Sequence, residues 1–306
     1  LFLFLSISLS LYADDSGSCG ENVNYAYDAS NKTLTISGTG NMTNYSISYH
    51  KTPWDDYLSE ITTLIISEGV TSIGDYAFYN CTNLGSISIS NSVTSIGKYS
   101  FEGSKSLISI DIPNSVEEIG KCAFEGCINL KSFIIPNSVS SIEAATFAGC
   151  KNLTSVSIPD NVEEIGESAF RWCSGLVKVH TGNVKNIYDH AFSDCDALYS
   201  ISFGRISYIG LSVFSGCNNL KEVHVCDIAS WCSAKISDNP IWKAHNLYIN
   251  DELVTDLIIP EGVTTITDGI FHQCNNIKSV SLPKSLKIIE MSAFQMCDGL
   301  TSVYFE

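Results

Sequence analysis

The sequence predicts a β-rich solenoid, a stack of short coils, and two observations lead to this fold class. A signature of the form Ala-Phe-x-x-Cys, with variants, recurs nine times, and its Phe residues are 22 or 23 residues apart except at one step of 57. The chain has 306 residues, 44% hydrophobic and only 16% charged, so it can fold throughout. Such a period is typical of repeat arrays and not of separate globular domains.

Each repeat combines a short strand, a turn and an aromatic plug, as residues 153–173 illustrate. Val156 and Ile158 alternate with serines, which is the period of a strand with one buried face. Pro159 and the Asp-Asn pair after it turn the chain before Phe170. A coil of about 23 residues cannot bury its own apolar edges, so it must stack on neighbours about 4.8 Å away.

Two sets of side chains recur once per coil and are expected to form the interior. The aromatic set is Phe78, Phe101, Phe124, Phe147, Phe170, Phe192, Phe214, Phe271 and Phe294. Three residues later come Cys81, Cys127, Cys150, Cys173, Cys195, Cys217, Cys274 and Cys297. We expect a ladder of buried thiols, because parallel Cβ vectors disfavour the dihedral angle of about 90° that a disulfide requires. Ladder disulfides or bound metal are the alternative.

The two ends of the chain differ from the repeats. Residues 1–13 form an apolar run followed by two aspartates, which suits a signal peptide and is too short for a bilayer-spanning helix. We interpret it as a signal peptide without its start, with a buried strand as the alternative. Residues 14–60 are expected to form an N-terminal β module or cap, and residues 61–306 the solenoid. The apolar strand at 300–306 predicts that the array continues further.

An insert at about 226–250 breaks the repeat within the 57-residue step. Inserts in solenoids protrude from one face, often the binding face, and the end of this one reads as a hairpin. Cys226 and Cys232 are close enough in sequence to form a disulfide in an oxidising compartment. With His224 and His245 they could be counted as zinc ligands, but the spacing fits no familiar zinc-binding motif.

The repeat consensus, Leu-x-x-Ile-x-Ile-Pro-x-x-Val-x-x-Ile-Gly-x-x-Ala-Phe-x-x-Cys, resembles the treponemal, BspA-like class of leucine-rich repeats over about residues 61–306. The segment before it, with Ser-Cys-Gly at 18–20 and Pro-Trp at 53–54, is similar to the module that often precedes these repeats. The insert also resembles one common in the family. The resemblance implies a right-handed solenoid on an exported protein that acts as an adhesin or surface antigen.

Charge and motifs argue against several classes of function. The formal net charge is −16, from 17 basic and 33 acidic residues, which disfavours nucleic acid as a partner. No run of 18 apolar residues follows the N-terminal segment, so no membrane-spanning segment is visible. The sequence lacks the motifs of zinc proteases, serine hydrolases and nucleotide-binding loops. The chain is therefore predicted not to be an enzyme and to need no cofactor.

The outward strand positions are mostly serine, such as Ser200 and Ser202, which we interpret as exposed, hydrated filler. Exceptions cluster directly before the insert. Together with three aromatic residues of the insert, they are the predicted binding residues: Lys178, His180, Glu222, His224, Trp231, Trp242 and Tyr248. Aromatic and charged groups dominate contact energies between proteins. Binding should also change between about pH 5.5 and 7, as the two histidines titrate.

Two functions are compatible with these features. The favoured one is a secreted or cell-surface protein that mediates adhesion to a protein or glycoprotein ligand on host matrix, host cells or other microbes. The alternative is a structural or decoy surface antigen without a dedicated ligand. Export through the predicted signal peptide is common to both.

Overall fold

The structure, a computed structural model, describes residues 14–305, which divide into two compact units, one up to Leu153 and one from Thr154. Each unit is built from successive coils, and in each the coils pair through short parallel strands on two of their sides. The predicted fold class is confirmed, because both units are β-solenoids with very little helix.

The first unit begins with an antiparallel meander that continues into the coils. Its strands are β1 (Asp15–Ser18), β2 (Val23–Asp28), β3 (Thr33–Gly38), β4 (Gly40–Asn41), β5 (Thr63–Ile66), β6 (Val70–Ile73), β7 (Ser86–Ile89), β8 (Ser95–Ile96), β9 (Glu118–Ile119), β10 (Ser132–Ile134) and β11 (Ser141–Ile142). A 3-10 helix covers Asp55–Tyr57. Strands β1, β2 and β3 are antiparallel, and β3 pairs in parallel with β5, which pairs with β7. A second parallel ladder runs through β4, β6, β8 and β9.

The second unit contains the insert. Its strands are β12 (Ser155–Ser157), β13 (Glu164–Ile165), β14 (Lys178–His180), β15 (Asn186–Ile187), β16 (Ser200–Phe203), β17 (Tyr208–Ile209), β18 (Glu222–Val225), β19 (Lys235–Ile236), β20 (Leu247–Ile249), β21 (Glu252–Leu253), β22 (Asp256–Ile258), β23 (Thr265–Ile266), β24 (Ser279–Leu282), β25 (Ile288–Ile289) and β26 (Ser302–Phe305). The insert carries helices α1 (Ile228–Ser233) and α2 (Ile241–Ala244). Its end is a hairpin in which β20 and β21 are antiparallel. Parallel pairing resumes with β22, β24 and β26.

Every Phe-centred segment carries left-handed backbone two residues before and two residues after the Phe. Around Phe124 these residues are Cys122 (φ 55°) and Gly126 (φ 68°). The N–H groups of these three residues donate to carbonyl oxygens of the next coil at 2.8 to 3.0 Å. Left-handed residues interrupt a helix, so these segments form a third ladder of hydrogen bonds between coils and not helical turns.

The recurring phenylalanines stack into columns within each unit. Their ring centroids are 5.2 to 6.0 Å apart and the ring planes are close to parallel. Eight of the nine are buried, and Phe294 is partly exposed. Trp54 stacks on Phe78 at 5.7 Å and is itself buried, so it fills the interior of the coil before the first Phe.

The repeated cysteines lie buried beside these rings as free thiols. Several thiols donate to the backbone oxygen of the Phe one coil earlier, as Cys127 does to Phe101 at 3.3 Å. Cys226 and Cys232, the pair considered for a disulfide, are both free thiols in this structure, and their pairing in an oxidising compartment stays a prediction. Cys226 is exposed just after β18, whereas α1 turns the side chain of Cys232 into the interior.

Candidate protein-binding surface

Four parallel strands of the second unit carry the surface predicted to bind. Strands β14, β16, β18 and β20 pair in register, so outward side chains of successive coils form rows. One row consists of Lys178, Ser200 and Glu222, and the other consists of His180, Ser202, His224 and Tyr248. Since paired strands lie about 4.8 Å apart, each row is a line of contacting neighbours.

His224 is held on three sides. Its Nδ1 lies 2.9 Å from an Oδ1 oxygen of Asp251, and its Nε2 lies 3.4 Å from an Oε2 oxygen of Glu222. Its ring stacks on Tyr248 with the centroids 4.7 Å apart. The His224 side chain is only 10% exposed, although the strand pattern predicts an open surface position. It therefore anchors the hairpin to β18, and little of its side chain is accessible to a ligand.

The serines between the longer side chains are buried, so the interpretation of Ser200 and Ser202 as exposed filler is wrong. Side chains from β14 and β18 cover them on both sides. The Ser202 hydroxyl lies 2.5 Å from Nδ1 of His180, while the hydroxyl of Ser200 has no hydrogen-bond partner among the described residues. His180 itself is exposed.

Tyrosines add an aromatic component to the rows. Burial raises the pKa of the Tyr248 phenol, and the nearby Glu222 and Tyr199 raise it further. The phenol therefore stays protonated and can donate a hydrogen bond. Tyr199, directly before β16, is 46% exposed. Sequence reasoning missed it because it precedes the strand positions whose alternation defines the outward face.

Two predicted binding residues lie away from these rows. Trp231 is fully buried, with its ring 5.5 Å from that of Phe203, so its assignment to the surface is wrong: α1 turns this face of the insert inward. Trp242 is partly exposed, but its ring packs on His272 at 5.9 Å and its Nε1 donates to the Gly269 oxygen at 3.4 Å. It lies against the Phe-centred segment of a later coil.

The hairpin supplies features that the repeat pattern does not reveal. Asp251, in its turn, completes the contacts of His224 and keeps 89% of its side chain exposed. A cavity of about 370 Å³ lies beside the hairpin, lined in part by Ile249, Leu253 and Ile258. Leu253 and Ile258 are 46% and 64% exposed. A recess with both apolar and polar walls, the latter including Asn250, Glu252 and Asp256, thus follows directly on Tyr248 along the chain.

The surface can bind by charge, hydrogen bonding and apolar contact. Within residues 14–305, no group of three or more His, Cys, Asp or Glu side chains is placed to hold a metal ion. The helices of this part of the chain are also all too short or too polar to cross a membrane.

Several proteins are similar to this chain. Solved structures include a leucine-rich cell-surface protein from Faecalibacterium prausnitzii (24% identity, 96% of this chain and 95% of that one, TM-score 0.49). Others are a leucine-rich repeat protein from Bacteroides ovatus (22%, 93% and 93%, 0.40) and one from T. pallidum (24%, 64% and 86%, 0.39). No curated protein shows significant sequence similarity.

A profile of the BspA type leucine-rich repeat region matches in six copies, over residues 56–177, 117–233 and 244–306. These matches cover well over half of the chain, including both described units. They begin within the N-terminal segment and are interrupted only inside the insert. The chain therefore belongs to the family of BspA type leucine-rich repeat proteins.

Proposed function

We propose that this protein acts at the cell surface or after secretion as an adhesin, which binds a protein or glycoprotein partner through the rows on β14 to β20. Family membership supports a protein-binding, surface role in general. The observation that carries the finer proposal is the exposure of Lys178, His180 and Tyr199 beside the stacked rings of His224 and Tyr248. On a face otherwise rich in serine, these residues concentrate long polar and aromatic side chains.

The arrangement is ordered before a partner arrives. His224 is fixed by two carboxylates and by the Tyr248 ring, so little side-chain entropy remains to be lost on binding. Lys178 forms no ion pair with the described residues and is exposed, as is His180. Asp251 at the other end presents a free carboxylate oxygen. A partner with complementary charges would be oriented along the rows.

The recess beside the hairpin supplies an anchoring position. Tight interfaces usually centre on an apolar or aromatic side chain that fills a pocket. The cavity next to Leu253 and Ile258 can take an apolar side chain of the partner. We expect the partner to be an exposed protein segment with an apolar residue flanked by charges.

A binding role fits this surface better than catalysis. The contact of Ser202 with His180 resembles a nucleophile and base. However, Ser202 is only 7% exposed, and within residues 14–305 no carboxylate hydrogen bond orients the His180 ring. A substrate carbonyl could not approach the hydroxyl without moving the neighbouring strands.

The test combines three exposed positions. We expect Lys178→Ser, His180→Ser and Tyr199→Ala together to weaken attachment to matrix proteins or host cells at least about tenfold, since hot-spot residues dominate contact energies. Surface plasmon resonance against immobilised collagen, fibronectin, laminin and mucin would measure this. The matched control, Asp111→Ser with Ile134→Ser, changes outward positions of the first unit and should bind normally.

Two results would contradict the proposal. Full-strength binding by the triple variant, with an unchanged melting temperature, would move the site elsewhere. Failure of the native protein to bind any matrix component or host cell would favour a surface antigen without a dedicated ligand.

A further inference from the structure

A second concave site lies in the first unit, between the loop after β4 and the first Phe-centred segment. A cavity of about 230 Å³ is lined by the rings of Tyr45, Tyr76 and Tyr79 and by the apolar side chains of Ile47 and Leu58. It shares no residue with the surface on β14 to β20. The two sites can therefore be tested separately by substitution.

The tyrosine rings are held in place by packing. Tyr45 is 6% exposed, and its ring meets the buried Trp54 edge to face at 5.7 Å. Trp54 is fixed in turn, because its Nε1 donates to the Ala77 oxygen at 2.9 Å. Tyr76 stacks on Tyr99 with the centroids 4.6 Å apart. The apolar part of the cavity thus exists before any ligand binds.

Tyr76 also adopts a backbone conformation that is costly for its type. Its φ of 56° lies in the left-handed region, which a bulky residue rarely enters. The ring of Tyr79 meets that of Tyr76 at 5.8 Å, close to perpendicular. The two rings therefore form a corner that faces a small ligand from two directions.

Polar groups surround this aromatic corner. Lys51 Nζ lies 2.7 Å from Asp55 Oδ2, and the pair is partly open to solvent. Asn80 is exposed and adds an amide to the lining. The buried hydroxyl of Thr52 has no hydrogen-bond partner among the described residues. A purely apolar guest would leave the Thr52 hydroxyl without a partner, which costs free energy.

We propose that this cavity binds a single sugar residue of a glycan. A sugar ring has a face of C–H groups, which can lie on tyrosine, and an edge of hydroxyls, which can exchange hydrogen bonds with Asp55, Lys51 and Asn80. The volume is below the range of about 300–1,000 Å³ that is usual for larger ligands. It therefore suits one ring and not a longer segment of chain.

The probes are the methyl glycosides of glucose, galactose, N-acetylglucosamine, N-acetylgalactosamine and fucose, together with N-acetylneuraminic acid. Two apolar probes, N-acetyl-phenylalanine amide and N-acetyl-leucine amide, test the opposite chemistry. Saturation-transfer difference NMR on the full chain shows which protons contact the protein, and calorimetry gives the affinity. We expect at least one saccharide to receive saturation at its C–H face.

Three variants locate the site. Tyr79→Ala should weaken saccharide binding at least about fivefold, because an aromatic contact is lost, and Tyr79→Phe should retain most of it. Tyr49→Ala is the matched control: Tyr49 is 96% exposed in the same loop but does not line the cavity. If Tyr79→Ala lowers the melting temperature, Asp55→Asn is used as the test variant instead. It should weaken saccharide binding without unfolding the loop.

The proposal is overturned if none of the saccharides binds, if only the apolar amides bind, or if Tyr49→Ala weakens binding as much as Tyr79→Ala. Selective loss in Tyr79→Ala or Asp55→Asn supports it. Since neither residue belongs to β14 to β20, this outcome is separate from the result of the matrix-binding test.

Discussion

Left-handed backbone flanks every recurring Phe, but the residue type at these positions varies. Two residues after the Phe, glycine occurs in four of the nine segments, at Gly103, Gly126, Gly149 and Gly216. The other segments place residues such as Trp172 and Gln273 in the same conformation. The sequence could not predict this feature, because the conformation is required by hydrogen bonds to the next coil and not by a consistent glycine.

We predict opposite effects for two matched substitutions at this position. A residue with a side chain in left-handed backbone destabilises the folded state by about 1–2 kcal/mol. Glycine avoids this cost, but it loses more conformational entropy on folding than alanine does, which costs about 0.5–1 kcal/mol. Gly126→Ala should therefore lower the free energy of unfolding by about 0.5–1 kcal/mol, and Gln273→Gly should raise it by a similar amount. A Cβ at Gly126 would meet only ordinary contacts, none closer than 3.8 Å. Urea denaturation measures both changes, and destabilisation by Gln273→Gly would contradict the explanation.

Stacking in register also places like charges together. Glu102 and Glu125 each follow the Phe of successive coils. Burial, and to a lesser extent the charge of Glu125, raises the pKa of Glu102 to about 7. The folded state thus holds a proton on Glu102 that the unfolded chain releases above its ordinary pKa of 4.5. This stabilisation is complete below about pH 4.5 and is lost as the pH rises through about 7.

Glu102→Gln should therefore raise the melting temperature relative to the native protein at about pH 8 and have little effect at about pH 4.5. Glutamine removes the cost of burying a charge but keeps the shape of the side chain. Glu117→Gln, on an exposed position of the same coil region, is the control and should change little between the two pH values. An equal effect of Glu102→Gln at both pH values would show that folding does not raise the pKa of Glu102.

At the scale of the element, the repeat could be predicted well and the insert could not. The alternation of Val156 and Ile158 with serine, and the spacing of the Phe residues, gave the strands and the interior, because every coil repeats the same constraint. The helix that buries Trp231 has no second copy with which to compare it. The depth of Ser202 depends on which side chains lie beside it, and that requires the register between coils.

The contribution of each recurring Phe to stability should depend on how deeply it is buried and how many rings pack against it. Phe192 is fully buried between Phe170 at 5.3 Å and Phe214 at 6.0 Å. Phe294 is partly exposed, and its ring stacks on that of Phe271 with the centroids 5.2 Å apart. We expect Phe192→Ala to cost about 3–5 kcal/mol in unfolding free energy and Phe294→Ala clearly less. Chemical denaturation distinguishes them, and equal costs would show that ring burial does not set the stability of a coil.

At the scale of the whole molecule, the acidic composition of the chain contrasts with the basic residue on the candidate surface. The chain carries a net charge of −16, which disfavours polyanions as partners, yet Lys178 presents an exposed positive group at one end of the rows. The family and the solenoid could both be predicted from the repeats. The cavity proposed for a sugar could not, since part of its lining, from Tyr45 to Leu58, comes from the non-repeating segment before β5.

The reactivity of the twelve cysteines reports on how well the interior is packed along the chain. All lie within the described residues, and only Cys226 is exposed. Burial raises the pKa of Cys19, Cys122 and Cys232 to about 12, so these thiols are protonated and unreactive at neutral pH. The native protein should therefore take up one iodoacetamide group per chain, and the unfolded protein twelve.

Intact-mass spectrometry measures this uptake, and Cys226→Ser should abolish it in the native protein. No uptake by the native protein, and ten groups after unfolding without reductant (12 − 2), would instead show that Cys226 and Cys232 are joined in the mature protein. A still lower number after unfolding would place disulfides in the ladder. That outcome would contradict the packing described here, in which the thiols donate to Phe carbonyl oxygens at 3.0 to 3.3 Å, since a disulfide sulfur has no proton to donate.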